Sequence, residues 1–138
     1  MGLLDISVYA KDQSDPVVFF CYSRLTDQGA TTAINRAVLK NDLLEQQDVI
    51  FTANNSSWKN VHFGCRLAIV DDQLYISSGE RGDCHAAQNG QSHSGSVVRI
   101  NLGGSIAHKI PQQSGWRPEI LTKGQRNPQG LAVNPRTG

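Results

Sequence analysis

Nearly every apolar run in this chain has strand length and ends at a turn residue, and no other feature constrains the fold as much. Residues 3–8, 17–23, 31–39, 48–52, 66–70, 74–77, 97–101, 119–122 and 130–133 read as strands. They are short and rich in β-branched and aromatic residues, and most are bounded by turn formers. Asp71-Asp72-Gln73 reads as a tight hairpin between two of them, and Gly103-Gly104-Ser105 closes another. The ambiguous stretch is 31–44, where Ala33, Ala37 and the leucine pair suit a helix. Thr31, Thr32, Ile34 and Val38 argue for a strand, since β-branched side chains are stiff in a helix, and Asp42 then falls in a turn. The chain is predicted to be all-β, as a sandwich or a propeller. Repetition does not choose between them, because the similar stretches starting at Arg66 and Gly130 are not one blade of about 40–45 residues apart.

Composition narrows the partners. Only 18% of the 138 residues are charged and the formal net charge is +1, with no basic run or acidic tail. Nothing electrostatic points to nucleic acid or to an anionic membrane, and no apolar stretch approaches the roughly 20 residues of a membrane helix. A small neutral ligand or another protein fits better. The first residues lack a basic stretch followed by an apolar one, so no signal peptide is expected in this chain. The three cysteines, Cys21, Cys65 and Cys84, show neither zinc-ribbon nor redox-pair spacing and read as buried or incidental thiols, with a single disulfide and one thiol left over as the lesser alternative.

Two polar stretches, 52–61 and 79–96, are long for loops in a compact domain, and loops of that length are usually functional or disordered. Each adjoins residues able to do chemistry. His62 precedes a glycine and a strand, where an imidazole titrating near neutral pH can serve as a general base. Gly64 lets the backbone pass close to a ligand. Glu80, in Gly79-Glu80-Arg81-Gly82, could orient such a base by accepting a ring N–H; alternatively it is a solvated carboxylate paired with Arg81. Arg126 offers a planar fork of donors, and Asn127 offers both a donor and an acceptor. Pro128 keeps Asn127 extended or turn-like, and Gly130 permits close approach as the next strand begins. His85 and His93 share a polar loop with Asp83 and Cys84, but no zinc spacing fits and a solvated loop is expected. His108 stands alone. Asn54-Asn55-Ser56-Ser57 holds two glycosylation acceptor patterns, relevant only in a eukaryotic secretory setting.

Three runs taken in order carry a family resemblance: Gly2-Leu3-Leu4-Asp5, His62-Phe63-Gly64-Cys65-Arg66-Leu67, and Gly124-Gln125-Arg126-Asn127-Pro128-Gln129-Gly130-Leu131. Together they resemble the soluble aldose sugar dehydrogenases of the PQQ-dependent glucose/sorbosone dehydrogenase family, quinoprotein β-propellers that oxidise sugars with pyrroloquinoline quinone (PQQ). The resemblance implies an all-β chain that is part of a six-bladed propeller, with room for about three four-stranded blades. It implies that residues 1–138 are a fragment of one propeller domain, inactive alone. His62 would be the catalytic base, Glu80 its orienter, Arg126 the stabiliser of charge on the reduced quinone, and Arg126 with Asn127 the cofactor contacts. The reaction implied is oxidation of the aldose C1 hydroxyl to a lactone, with hydride passing to PQQ and an external electron acceptor downstream. Calcium would anchor PQQ through ligands outside this chain, so no metal ligand is expected within it. A periplasmic or secreted setting is implied, and exposed blade faces would allow self-association. One departure is plain: Cys65 stands where the family has a second glycine. The other reading is a non-catalytic extracellular binding propeller of the same superfamily, similar to the hedgehog-interacting proteins. Joint retention of His62, Glu80, Arg126 and Asn127 favours the enzyme.

Overall fold

Alternation with period two governs the structure, a computed structural model that describes residues 2–107 and 114–137. The strands are β1 (Leu3–Tyr9), β2 (Val17–Thr26), β3 (Gly29–Lys40), β4 (Leu43–Thr52), β5 (Gly64–Val70), β6 (Gln73–Ser78), β7 (Ser96–Asn101) and β8 (Ile120–Lys123). They form two four-stranded sheets, β1-β2-β3-β4 and β5-β6-β7-β8, each an antiparallel meander of the kind that makes a propeller blade. The ambiguous 31–44 stretch is strand β3 followed by a two-residue turn at Asn41-Asp42. Lys40 pairs with Leu43 across that turn, and Val70 pairs with Gln73 across Asp71-Asp72. All four turn residues have positive φ, between 47° and 61°, as a type I′ turn requires of short polar side chains.

The core lies between the sheets. Phe19 and Cys21 of β2 and Ile34 of β3 face Cys65 and Leu67 of β5, Leu74 and Ile76 of β6, and Val98 and Ile100 of β7. Residues i and i+2 share a face on each strand, so Leu74/Ile76 and Val98/Ile100 point inward while Tyr75, Val97 and Arg99 do not. Each fully buried large aliphatic side chain contributes about 1.5–3 kcal/mol relative to exposure. On the other side, Leu3, Ile6 and Val8 of β1 stay exposed.

Three expectations change. Cys21 and Cys65 are joined by a disulfide, while Cys84 is a free, exposed thiol. The bond links β2 of one sheet to β5 of the next, so packing between sheets creates a pairing that spacing along the chain does not announce. Cys65, which replaces a glycine of the family pattern, is fully buried in the core. Residues 130–133 are not a strand: Leu131, Ala132 and Val133 line a small concavity against Ala68, Val70 and Tyr75, with no ladder partner among the described residues. The described residues therefore make two blades, where length alone gave room for about three.

The meanders place the loops. The connections leaving β4, β6 and β8 lie at one end of the sheets, because successive strands alternate direction. That end holds all four residues singled out by sequence. At the opposite end, Asp72 bonds the Tyr9 hydroxyl and the Lys11 ammonium (Nζ to Oδ2, 2.9 Å), tying the two sheets together.

Candidate functional site

His62 sits in the connection into β5, Glu80 in the loop after β6, and Arg126 and Asn127 in the segment after β8. The structure brings them together. His62 Nδ1 bonds the Oε1 of Glu80, and the Arg126 Nε lies 3.7 Å from that oxygen. Glu80 is only 2% exposed, whereas the His62 side chain is 25% exposed and that of Arg126 79%. A carboxylate only accepts, so the Nδ1 proton belongs to the ring, and in the neutral ring Nε2 then carries the lone pair. Nε2 has no hydrogen-bond partner among the described residues. A partly exposed imidazole whose far nitrogen is backed by a buried carboxylate has the geometry a general base needs.

The backbone shows why this geometry holds. Glu80 N–H donates to the Arg126 carbonyl (2.9 Å), Gln125 N–H to Gly95 O (2.9 Å), and Ser77 Oγ to Pro128 O (2.9 Å). The Gly64 N–H donates to Asn127 Oδ1 (3.0 Å), which spends the acceptor half of that amide and leaves its NH2 as a donor. Asp5 of the first sequence run accepts from Leu67 N–H (2.8 Å), and Arg66 reaches Leu4 O (3.1 Å). The three sequence runs that carry the resemblance therefore touch one another.

Close approach explains two glycines. A Cβ on Gly79 would stand 2.0 Å from His62 O, and one on Gly64 would stand 2.9 Å from Ser77 O. Gly64 thus makes room for the protein's own backbone rather than for a ligand. Gly130 has no neighbour within 4 Å and accommodates no close approach. His62 is held at φ +51° and Arg81 at φ +57°, conformations that cost a non-glycine residue about 1–2 kcal/mol and persist where the surroundings over-determine them.

Arg81, absent from the sequence-based site, is the most fully bonded cation here. It does not pair with Glu80. Its guanidinium donates to the carbonyls of Val61, Ala30 (3.1 Å), Ser57 (3.4 Å) and Lys59 (2.7 Å), and lies 3.3 Å from the centre of the Phe63 ring. Burial pushes its pKa down from the ordinary value, and the nearby Glu80 charge opposes that shift. An arginine beside a glutamate in sequence gave no sign of this.

A second histidine also departs from expectation. His93 is buried, not solvated: Asn54 N–H donates to its Nδ1 (3.0 Å) and its Nε2–H donates to Glu119 Oε1 (2.9 Å). Arg117 Nε adds a bond to the same oxygen (2.6 Å), and together these hold the Glu119 carboxyl at about 2, with the His93 bond the largest cause. His85 is exposed, and His108 lies outside the described residues. No group of three metal-ligating side chains occurs among the described residues. Asn55 is buried with its amide bonded to Ser78 Oγ and Gly79 O, so it is closed to glycosylation in the folded chain.

Two concavities flank Glu80. One, about 110 Å³, is lined by Glu80, Cys84, Gln88, Gln125 and Arg126; the other, about 300 Å³, is lined by Asn55, Lys59, Asp83 and several serines. A third concavity, about 430 Å³ between Arg36, Asp48 and the Gly103-Gly104 turn, contains none of the candidate residues. Arg126 beside Glu80, the NH2 of Asn127 next to Gly64, and Nε2 of His62 put two hydrogen-bond donors and one acceptor in one neighbourhood. That set suits a quinone, whose oxygens accept hydrogen bonds and gain charge on reduction.

Comparison with known proteins identifies the family. The aldose sugar dehydrogenase YliI of Escherichia coli is 34% identical over 141 residues, which cover 97% of this chain and 38% of that protein. A solved glucose dehydrogenase superposes with a TM-score of 0.91 at 32% identity, over 99% of this chain and 44% of that one. The PQQ-bound form of an aldose sugar dehydrogenase from Streptomyces coelicolor gives 0.74 at 26% identity, over 91% of this chain and 37% of its own. The chain thus spans well under half the length of these relatives. The model of the glucose/sorbosone dehydrogenase family matches residues 1–138, and the chain belongs to that family.

Proposed function

We propose that this chain is the catalytic-base portion of a PQQ-dependent aldose sugar dehydrogenase, a fragment of one propeller domain. One observation supports the reading: partly exposed His62 is backed by buried Glu80, with Arg126 beside the same carboxylate oxygen and Asn127 bonded to Gly64, two residues on from the histidine. When bound, PQQ supplies a carbonyl carbon that accepts the C1 hydride of the sugar. His62 Nε2 takes the proton of the anomeric hydroxyl, and Glu80 stabilises the imidazolium that forms while fixing the ring's tautomer. Arg126 and Asn127 would hold the quinone by donating to its oxygens, and the arginine charge would be worth most where negative charge develops. The product is a lactone, and an external electron acceptor completes the cycle.

Calcium belongs to this proposal as the anchor of PQQ, through residues outside this chain. The Cys21–Cys65 disulfide supports a periplasmic or secreted setting, since such bonds persist in oxidising compartments. Among the described residues no helix is long and apolar enough to cross a membrane. The exposed β1 face of Leu3, Ile6 and Val8 gives self-association a physical basis.

The test is aldose-dependent dye reduction after incubation with PQQ and calcium, run on this chain and on any longer reading frame that contains it. The expected result is no turnover by the chain alone and PQQ-dependent turnover by the longer frame. A longer frame that neither binds PQQ nor reduces dye overturns the enzyme in favour of a binding propeller. Turnover by the 138-residue chain overturns the fragment reading instead.

A further inference from the structure

We infer that Arg81 is a positioning residue for His62: its guanidinium gathers the carbonyls on the approach to the histidine and so aims the ring at Glu80. The inference rests on His62 being the base of the proposed reaction. Three sets of contacts support it. First, the four carbonyls it binds come from separate places. Ala30 lies at the start of β3, while Ser57, Lys59 and Val61 lie along the connection that ends at His62. Second, the Arg81 backbone N–H donates to His62 O (3.2 Å), so the same residue holds the histidine by its backbone and the preceding Val61 by its side chain. Third, the Phe63 ring lies against the guanidinium at 3.3 Å, fixing the residue that follows. Phe63 O in turn accepts from Gly79 N–H (3.2 Å) and Thr32 Oγ1 (2.8 Å).

The physical need is specific. His62 adopts a left-handed backbone conformation, and its flanking carbonyls have no strand partner to satisfy them. A guanidinium presents five donors in a rigid plane and keeps its charge when buried; a lysine offers a point charge with less reach and no plane to stack on Phe63. Arg81 is 2% exposed, and the residue before it is Glu80 itself. One short loop therefore supplies both the carboxylate that orients the imidazole and the cation that sets its backbone.

The test reads the ring N–H protons by NMR on the whole chain, with no need for PQQ or turnover. Two downfield imidazole resonances are expected from the unsubstituted chain: His62 Nδ1–H on Glu80, and His93 Nε2–H on Glu119, each assigned by its own substitution. In Arg81→Met, the His62 resonance is expected to vanish while the His93 resonance stays, because the second pair is built from other elements. A His62 resonance that persists unshifted overturns the inference, as does its absence from the unsubstituted chain. Should Arg81→Met lose both resonances, Arg81→Lys is read the same way. Loss of both there too makes Arg81 a general holder of the fold and overturns the positioning role. Dye reduction tests the dehydrogenase reading separately, so the two can fail independently.

Discussion

Among the described residues stand two histidine–glutamate pairs, made from the same groups and opposite in character. In the His93–Glu119 pair both ring nitrogens are spent, one on the Asn54 N–H and one on the carboxylate, and both side chains are under a tenth exposed. That ring is a neutral strut. In the His62–Glu80 pair only the carboxylate is deeply buried, and the nitrogen facing away from it is open. A histidine becomes available for proton transfer when its surroundings satisfy one nitrogen and leave the other, and here the protein shows both outcomes.

The sharpest test separates the pairs by what each loses. In the longer reading frame, His62→Gln is expected to lower aldose oxidation by about 10²–10⁴-fold in the PQQ-dependent dye assay, the usual range for removing a general base, while the urea midpoint stays put. His93→Ala is expected to do the reverse. It removes a buried hydrogen bond from the Glu119 carboxylate, which keeps Arg117, and costs about 3 kcal/mol of stability in urea unfolding, with kcat per folded molecule unchanged. If both variants lose only stability, the distinction collapses.

A smaller effect comes from pH. Glu119 sits at about 2 when folded, below its ordinary 4.5, so its contribution is complete above the unfolded value and is lost as pH falls from about 5 towards 2. The shift corresponds to a contribution on the order of 3 kcal/mol. Glu119→Gln should flatten the acid limb of a stability–pH curve measured by chemical unfolding. An unchanged slope would show that other groups govern acid unfolding. Least of all, Arg126→Ala should change stability by no more than about 0.5 kcal/mol, since its side chain is 79% exposed beside Glu80. Its effect on PQQ-dependent turnover should be far larger. A large stability loss would place Arg126 among the struts.

Much of this was legible in the sequence, for identifiable reasons. Strands could be read because Leu74/Ile76 and Val98/Ile100 alternate with outward residues, a signal local to each strand. The hairpin at Asp71-Asp72 was legible from the same local chemistry. His62, Glu80, Arg126 and Asn127 were found through motif resemblance, and the geometry brings them to one place. What escaped depends on packing between distant segments. The Cys21–Cys65 bond exists because two sheets stack face to face, and His93 is buried because Asn54 and Glu119 close over it from either side. Residues 130–133 have strand-like composition but no partner strand among the described residues, and a strand is defined by its partner.

One feature of the meander reaches beyond catalysis. Every residue proposed to act chemically hangs from connections at one end of the sheets, while the two-residue turns at Asn41-Asp42 and Asp71-Asp72 close the other. The molecule therefore has a working rim and a tolerant rim. Lengthening the exposed Asn41-Asp42 turn adds only loop-closure entropy, about 0.6 kcal/mol per doubling, and leaves the His62–Glu80 contact untouched. A tag, a tether or a lineage's own insertions can accumulate there without the chemistry taking notice.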